Sequence, residues 1–385
     1  MEEHTKKLQE ERTQLFQDVY DGRVPKRIPI EISITFDASI EYCGLGLKET
    51  QYDLNSYEVY FDRICSEFIM DKMPVTLSSR TPLYPKLMGS KAFVMSKEGH
   101  MQHPEVSCMQ VEEYDEFIAD PYKFLVDKCI PRLFTEIGHG DMRDALNFAK
   151  GYKASADNAA KVGAATVKMS EKYGYAALPR GPLSEAPLDF LADQIRSFTG
   201  IVGDIRRVPE KVLAACDVLI PLMARLGTLP SSGRYGRTFL PLHMGPFLNQ
   251  KQFERFWWPS FKKLMDYFKA NRMGSKIFVE QNWMSKIDTL AELDDCVEMQ
   301  FEYGDPKLCK EKVGKKNIIS GLYPITLLQT GTKRECTDKA KELMDVLAPG
   351  GGYIFNMDKG IYSLKGNIAE NLKAVIDTVH TYGVY

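Results

Sequence analysis

Thr238-Phe-Leu-Pro-Leu-His243 is the first of five short hydrophobic runs in the last third of the chain, and each run ends with polar residues. The other four runs are Lys276–Asn282, Glu298–Tyr303, Asn317–Tyr323 and Gly352–Asp358. Amphipathic helical sequence separates the runs, and this alternation predicts parallel strands covered by helices. When such a sheet closes into a barrel, the carboxyl ends of its strands carry the chemistry. We therefore expect the functional site among the polar residues at those ends, which are His243, Glu280, Asn282, Glu302 and Asp358.

The composition is that of an ordinary globular protein, since 44% of the 385 residues are hydrophobic and 26% are charged. The net charge of −2 gives no overall field that would favour nucleic acid or an anionic membrane, and we expect neither as a partner. No apolar run reaches the roughly 18 residues that span a bilayer, and the charged start does not resemble a secretory signal. Eight scattered cysteines without a C-x-x-C pair suit a reducing cytoplasm, which is the compartment we predict.

The first two thirds of the chain are less regular. Residues 4–22 predict a charged amphipathic helix, and the alternating, β-branched residues 28–36 predict the first strand. Residues 73–112 form an irregular insert, and because long structureless inserts are uncommon in compact domains, we expect it to be functional or a small subdomain. His100 and His103 lie in this insert, but no third ligand is close in sequence, so we assign no metal site there. The length fits one large α/β barrel with an elaboration, or two smaller domains.

Three motifs near the C-terminus are typical of a known family. Asn317–Pro324 is followed by Leu327-Leu-Gln-Thr-Gly-Thr332. Gly350-Gly-Gly-Tyr-Ile-Phe-Asn-Met-Asp-Lys-Gly360 is followed by Ala369-Glu-Asn371. His243–Pro259 also fits, because a helix of the form Phe-x-x-Phe-x-x-Pro follows the strand that ends at its start. In these segments the chain resembles the uroporphyrinogen decarboxylase superfamily.

The resemblance extends over most of the chain. Met109–Pro121 looks like the branch that contains corrinoid-dependent methyltransferases, particularly the O-demethylase components. The similarity covers roughly residues 25–385 and implies one α/β catalytic domain with the TIM (β/α)8 barrel fold. Residues 1–24 are then an N-terminal helical extension, and residues 73–112 are an insert in the first third.

Two departures from the superfamily's pattern bear on the substrate. The decarboxylases carry an arginine-rich segment after the first strand, but this chain has Thr35–Glu41 there, so an octacarboxylate would meet too few cations. Thiol-methylating relatives bind zinc through His-x-Cys and a later Cys, whereas the matching positions here look like Glu280–Asn282 and Asp358 or Lys359. An oxygen-rich set suits polarising an ether oxygen better than activating a thiol. The departures therefore favour an O-methyl ether as the methyl donor.

Four residues are candidates for catalysis. Glu280 and Asn282 are alternate residues of one predicted strand, so their side chains are expected on the same face, as metal ligands or as an acid with an orienting amide. His243 is a metal ligand or a general acid near neutral pH, unless it only satisfies local backbone groups. Lys359 follows the last strand, and its alternative role is a surface pair with Asp358.

Metal binding is also predicted at the strand ends. Any metal is expected to bind through Glu280 together with at least one of His243, Glu302 and Asp358, and without a cysteine. Zinc is the ion that we expect such a set to permit, although more weakly than a thiolate site would.

The leading functional hypothesis is a methyltransferase. It would move a methyl group from a small methylated substrate to the Co(I) corrinoid of a separate protein. The chain has no Asp-x-His-x-x-Gly motif of the corrinoid-binding kind, so the cobalamin cofactor is expected to come with that partner. Two alternatives stay open, a decarboxylase of uroporphyrinogen or a related acid, and a non-catalytic barrel that binds a methylated or aromatic ligand. The sequence does not distinguish a monomer from a homodimer.

Overall fold

The computed structural model describes residues 2–75 and 81–385 and contains a parallel sheet in which neighbouring strands follow one another along the chain. Its five strands are β3 (Thr238–Leu242), β4 (Ser275–Val279), β5 (Glu298–Phe301), β6 (Ile318–Gly321) and β7 (Tyr353–Ile354). Each lies within or beside one of the five predicted runs, so the strand prediction is confirmed. A separate antiparallel hairpin of β1 (Val94–Met95) and β2 (Met101–Gln102) lies in the insert.

Backbone hydrogen bonds continue the sheet beyond these strands and close it into a ring. They link the segment after β7 to residues 28–34, then to 71–75, then to 176–184, and back to β3. The bonds are Glu31 N to Phe355 O, 3.0 Å; Asp71 N to Ile30 O, 3.3 Å; Ala176 N to Asp71 O, 2.9 Å; and Phe239 N to Pro182 O, 2.9 Å. The predicted eight-stranded TIM barrel is therefore confirmed, with β3–β7 as its fourth to eighth strands.

The first three barrel segments pair through isolated bridges rather than through regular ladders. Ile34 bridges both Val75 and Ile361, and Leu183 bridges Phe239. Each of these segments contains a proline, namely Pro29, Pro74 or Pro182. Proline has no N–H to donate, which interrupts the ladder at that position.

Helices surround the sheet and supply the insert and the N-terminal extension. They are α1 (Glu3–Tyr20), α2 (Phe36–Tyr42), α3 (Leu47–Thr50), α4 (Tyr57–Glu67), α5 (Leu83–Met88), α6 (Tyr114–Ala119), α7 (Pro121–Phe124), α8 (Ile130–Leu133), α9 (Met142–Tyr173), α10 (Pro187–Phe190), α11 (Phe198–Arg207), α12 (Pro209–Leu226), α13 (Gln250–Gln252), α14 (Trp258–Ala270), α15 (Ile287–Leu290), α16 (Pro306–Lys312), α17 (Ile325–Thr330), α18 (Lys333–Leu347) and α19 (Ile368–Tyr382). Short 3₁₀ turns occupy Val111–Glu113, Gly245–Phe247 and Met284–Lys286, and π-helical turns occupy Leu125–Cys129, Leu191–Arg196 and Phe253–Trp257.

Helix α1 covers the amino ends of the barrel strands. Its buried residues Phe16, Val19 and Tyr20 pack against Ile318 and Ile354, which come from β6 and β7. Burying these rings and methyl groups removes apolar surface from water and holds the helix against the barrel. The predicted helix at 4–22 is confirmed to within two residues, while the division of the chain at residue 24 stays a prediction.

The lower half of the barrel lumen is filled by a network of charged side chains. The Lys276 Nζ lies 2.9 Å from carboxylate oxygens of both Glu31 and Glu298, and Lys72 Nζ lies 2.8 Å from Glu31. The Tyr20 hydroxyl donates to Glu298 at 3.4 Å. Because the first and fifth barrel strands are not neighbours, the contact between Glu31 and Lys276 passes through the lumen. These contacts therefore show which side chains of each strand face inward.

Two observations concern membrane crossing and the oxidation state of the cysteines. None of the helices within residues 2–75 and 81–385 has the combination of length and apolar composition that a bilayer crossing requires. All eight cysteines are free thiols.

Candidate active site

An ion pair joins two strand ends at the upper rim of the barrel. His243 directly follows β3 and Glu280 directly follows β4, and both have the same inward parity as Lys276. The His243 Nδ1 lies 3.0 Å from a Glu280 carboxylate oxygen, and each side chain keeps about a third of its surface exposed. The sequence prediction that these two residues meet at the carboxyl rim therefore agrees with the structure.

A buried carboxylate holds the backbone of His243 in place. Asp189, on α10, is fully buried and accepts hydrogen bonds from His243 N at 2.9 Å and from Met244 N at 3.0 Å. It also accepts from the indole Nε1 of Trp257 at 2.7 Å. Burial raises the pKa of Asp189, while the charge of His243 and the three N–H donors oppose that rise. Asp189 thus fixes the turn that carries the histidine.

The surrounding carboxylates keep His243 protonated. Burial lowers the pKa of this imidazole, but the hydrogen bond that the ring donates to Glu280 and the charges of Asp189, Glu280 and Asp193 outweigh burial and raise the pKa to about 9. At neutral pH the ring is therefore a cation with two N–H donors, of which one is engaged with Glu280. Such a group can donate a hydrogen bond to a developing negative charge.

A second ion pair lies beside the first. Lys359 Nζ lies 2.6 Å from Glu302 Oε1, and Glu302 Oε2 accepts from Gln281 N at 2.7 Å, which connects this pair to the backbone next to Glu280. Asp358 Oδ1 accepts from Lys359 N at 2.8 Å. Burial raises the pKa of Asp358, although the backbone N–H donors and Lys359 lower it. The predicted residues Glu302, Asp358 and Lys359 therefore lie together, but they are bonded mainly to each other.

The prediction that Asn282 shares a strand face with Glu280 is wrong. Strand β4 ends at Val279, and Gln281 has a left-handed φ of 66°, so the alternation of side chains stops before Asn282. The Asn282 side chain is exposed and accepts a hydrogen bond from Met284 N at 3.0 Å, which stabilises the following 3₁₀ turn. A catalytic role for Asn282 stays a prediction, and no step below uses it.

The predicted metal ligands are not gathered around one point. Among residues 2–75 and 81–385, no three or more His, Cys, Asp or Glu side chains are grouped so that they could hold a metal ion. Glu280 and His243 bond to each other, whereas Glu302 bonds to Lys359 and Asp358 bonds to backbone N–H groups. This donor arrangement does not fit a three-ligand zinc site. Zinc binding through these residues stays a prediction, and no step is derived through it.

A cavity of about 320 Å³ opens beside His243 of the first ion pair. Its lining comes from the insert, the turn after α10, the start of α11 and the end of β3, and consists of His103, Pro104, Glu105, Asp189, Ala192, Asp193, Phe198, His243 and Met244. The insert also contacts α2, the helix that follows the first barrel segment, because His100 Nδ1 lies 2.8 Å from a carboxylate oxygen of Asp37. The insert, which is expected to be functional or a small subdomain, contributes His103, Pro104 and Glu105 to one wall of this cavity.

Glu185 is a candidate residue that sequence reasoning missed. The Ser184 hydroxyl donates to Met223 O on α12 at 2.8 Å, so Ser184 faces the helices and the adjacent Glu185 faces the lumen. Its Oε2 is buried and has no hydrogen-bond partner. Burial and the charge of Asp193 raise the pKa of Glu185 to about 7, with His243 opposing them.

The reason for the omission is the position of the third strand. The third barrel segment contains Pro179 and Pro182, and prolines are typical of a connection rather than of a strand interior. The bridge at Leu183 shows that the strand continues, and the alternation of Leu183, Ser184 and Glu185 was the signal that could have identified the residue.

Comparison with known proteins supports the fold and the family. A methyltransferase from Methanosarcina mazei shares the fold with a TM-score of 0.63, at 13% identity, over 96% of this chain and 98% of that one. A uroporphyrinogen decarboxylase of Anaeromyxobacter dehalogenans (strain 2CP-C) is 40% identical over 65 residues, which are 17% of this chain and 18% of that protein's length. The family model for uroporphyrinogen decarboxylase (URO-D) matches residues 184–382, which include Glu185, both rim ion pairs and the strands β3–β7. As this match spans just over half of the 385 residues, the chain belongs to the uroporphyrinogen decarboxylase family.

Proposed function

We propose that the protein is a methyltransferase that moves a methyl group from a small O-methyl ether to the Co(I) corrinoid of a separate protein. The observation that carries the proposal is His243, which is paired with Glu280 and lines the 320 Å³ cavity. An imidazolium in this position can donate a hydrogen bond to the ether oxygen and stabilise the negative charge that develops when the methyl group leaves. The cavity is at the small end of the range of ligand sites, which suits a small donor.

The corrinoid, when the partner docks, supplies the nucleophile for methyl transfer. The chain itself then has to bind the donor, orient its methyl group towards the open mouth and stabilise the leaving oxygen. Its own thiols are poorly suited to attack, because burial raises the pKa of Cys309 and of Cys65 to about 12. A methyl acceptor from outside the chain agrees with this arrangement.

The family match also favours a second candidate, decarboxylation of a porphyrinogen. The charge of the mouth is the argument against it. The cavity lining contains three carboxylates, Glu105, Asp189 and Asp193, and the rim cations His243 and Lys359 are each paired with a glutamate. An octacarboxylate would be repelled by this lining, whereas a neutral ether would not.

The cellular compartment and the partner protein are part of the same proposal. Eight free thiols suit a reducing compartment, and we propose the cytoplasm. The partner is a corrinoid protein that docks at the carboxyl rim, because the His243–Glu280 pair lies at that rim.

The test is methyl transfer in a defined mixture. Purified protein is incubated with cob(I)alamin and an aryl methyl ether, an alkyl methyl ether, a methylamine or a methyl thioether, while the cobalt spectrum is followed. We expect methylation of cobalt with an ether and not with the amine or thioether. A parallel assay with uroporphyrinogen measures CO₂ release. Release of CO₂ without any cobalt methylation would replace the proposal with the decarboxylase candidate.

A further inference from the structure

Glu185 lies one layer below the rim ion pair. Leu183 bridges Phe239 in parallel register, so Glu185 is level with Pro241, two residues before His243 on the neighbouring strand. At a rise of roughly 3.3 Å per residue, this places Glu185 about 7 Å below His243 along the strand. Its inward parity directs the carboxyl group to the lumen, where the charged groups nearest to it, Asp189, Asp193 and His243, line the cavity.

The surroundings of Glu185 favour its neutral form. Within the described residues no cation forms an ion pair with this carboxyl group and no hydrogen bond reaches its buried Oε2. The charged groups that face it are Asp189 and Asp193, from α10 and the turn after it, and His243 from the end of β3. Both aspartates favour the protonated form, and His243 opposes them. A carboxylic acid that is protonated near neutral pH and lies below an open cavity is the kind of group that catalytic acids require.

We propose that Glu185 is the acid that protonates the leaving oxygen of the methyl donor, which restricts the substrates to donors whose oxygen must gain a proton. This inference rests on the proposed function. As the CH₃–O bond breaks, its electron pair stays on oxygen, the proton passes from Glu185 to that oxygen, and an alcohol or phenol leaves. The electron pair of the new bond to carbon comes from the Co(I) acceptor, which is formally oxidised to Co(III). Glu185 remains as a carboxylate and regains its proton from water.

The pH dependence of the methyl-transfer rate distinguishes the role of Glu185 from that of His243. An acid must be protonated to act, so activity is present below its pKa and is lost as the pH rises through that value. With Glu185 as the acid, the rate should fall with a midpoint near its pKa of about 7. In Glu185→Gln this fall near pH 7 should vanish.

The experiment compares parent protein, Glu185→Gln and the surface control Glu210→Gln with cob(I)alamin and two aryl ethers. For methoxybenzene, a poor leaving group, Glu185→Gln should lower the rate by about 100-fold or more. For 4-nitromethoxybenzene, whose phenolate leaves more easily, the loss should be much smaller. Glu210 is exposed and pairs with Arg255 on the surface, so its variant should match the parent.

An infrared titration supplies a readout that does not depend on activity. The carboxylic acid C=O band should disappear with a midpoint near pH 7 in the parent, and this transition should be missing in Glu185→Gln. Equal losses for both ethers, an unchanged pH midpoint or an unchanged infrared titration would each overturn the assignment while the methyl transfer stands. Absence of cobalt methylation by the parent protein with every donor would instead overturn the proposed function, and the assignment with it.

Discussion

Replacing Lys276 by methionine should strongly destabilise the barrel. The Lys276 ammonium lies 2.9 Å from Glu31 and 2.9 Å from the fully buried Glu298, so the change leaves two buried carboxylates without their shared cation. Glu31 would keep Lys72, and Glu298 would keep only hydroxyl donors. Removing one partner of a buried ion pair typically costs about 3–5 kcal/mol, and we expect a loss of this size at pH 7.

The pKa of Glu31 gives an independent measure of the same magnitude. Burial opposes ionisation of Glu31, but the charges of Lys276 and Lys72 outweigh it and lower the pKa from 4.5 to about 2. At about 1.4 kcal/mol for each tenfold change, this difference corresponds to about 3 kcal/mol. Since the folded-state pKa is depressed, this stabilisation is fully present above about pH 4.5 and is lost as the pH falls towards 2.

Urea unfolding followed by circular dichroism at pH 7 and at about pH 4 tests this reasoning. The deficit of Lys276→Met should be largest at pH 7 and smaller at pH 4, where the unpaired carboxylates can take up protons. Adding Glu298→Gln to Lys276→Met should restore part of the loss, because it removes a stranded charge. The control Lys269→Met breaks the exposed pair with Asp294 and should unfold at the parent's urea concentration. A Lys276→Met protein as stable as its parent at pH 7 would refute the interpretation.

Three further predictions concern the rim. Glu280→Gln should lower the rate of methyl transfer by about 100-fold or more. The pKa of His243, measured by NMR titration, should fall because the histidine loses its carboxylate partner. Activity within about threefold of the parent would leave Glu280 with a structural role. Asp189→Asn should lower the free energy of unfolding by about 1–3 kcal/mol, because one carboxylate oxygen is replaced by an NH₂ group that faces backbone or indole N–H donors. Urea unfolding measures this loss, and an unchanged urea midpoint would contradict the three hydrogen bonds. Metal analysis of protein purified without chelator should show no cysteine-ligated metal, and stoichiometric zinc bound through cysteine would contradict the predicted ligands.

The local periodicity of the chain was sufficient to predict the parallel strands and to place His243 and Glu280 at one rim, whereas the closed barrel was implied by the family resemblance. The runs at 238–243 and 276–282 alternate with amphipathic helices, and parallel strands have their carboxyl ends on one side of the sheet. The meeting of His243 and Glu280 follows from this arrangement, because neighbouring strands of similar length end at the same level. Both conclusions depend only on residues that are close in sequence to the strands themselves.

The rest of the site depends on contacts between distant segments. Asp189 supports His243 across 54 residues, and the insert brings His103 to the same cavity, so neither position follows from local pattern. The prediction for Asn282 is wrong because of a local feature. The left-handed backbone of Gln281 ends the alternation of side chains that the sequence suggested would continue. Glu185 was hidden by prolines that weaken the third strand without ending it.

The two halves of the lumen use buried carboxylates in opposite ways. In the lower half, Glu31 and Glu298 each lie within 3 Å of an ammonium group, and α1 covers them from below, so both carboxylates are paired and fill space. The lysines beside Glu31 lower its pKa. In the upper half, no ammonium group among the described residues pairs with Glu185, and burial raises its pKa to about 7. A buried glutamate is therefore structural where a lysine from a facing strand reaches it, and reactive where no lysine does.

This contrast predicts the effect of placing an ammonium group beside Glu185, for which Pro241→Lys is the nearest inward position. The new cation should ionise Glu185 and abolish proton donation, while the lower network keeps the barrel folded. Loss of the neutral-pH infrared titration in that variant, together with unchanged urea unfolding, is the expected result, and a titration that persists would show that the cation does not control the acid.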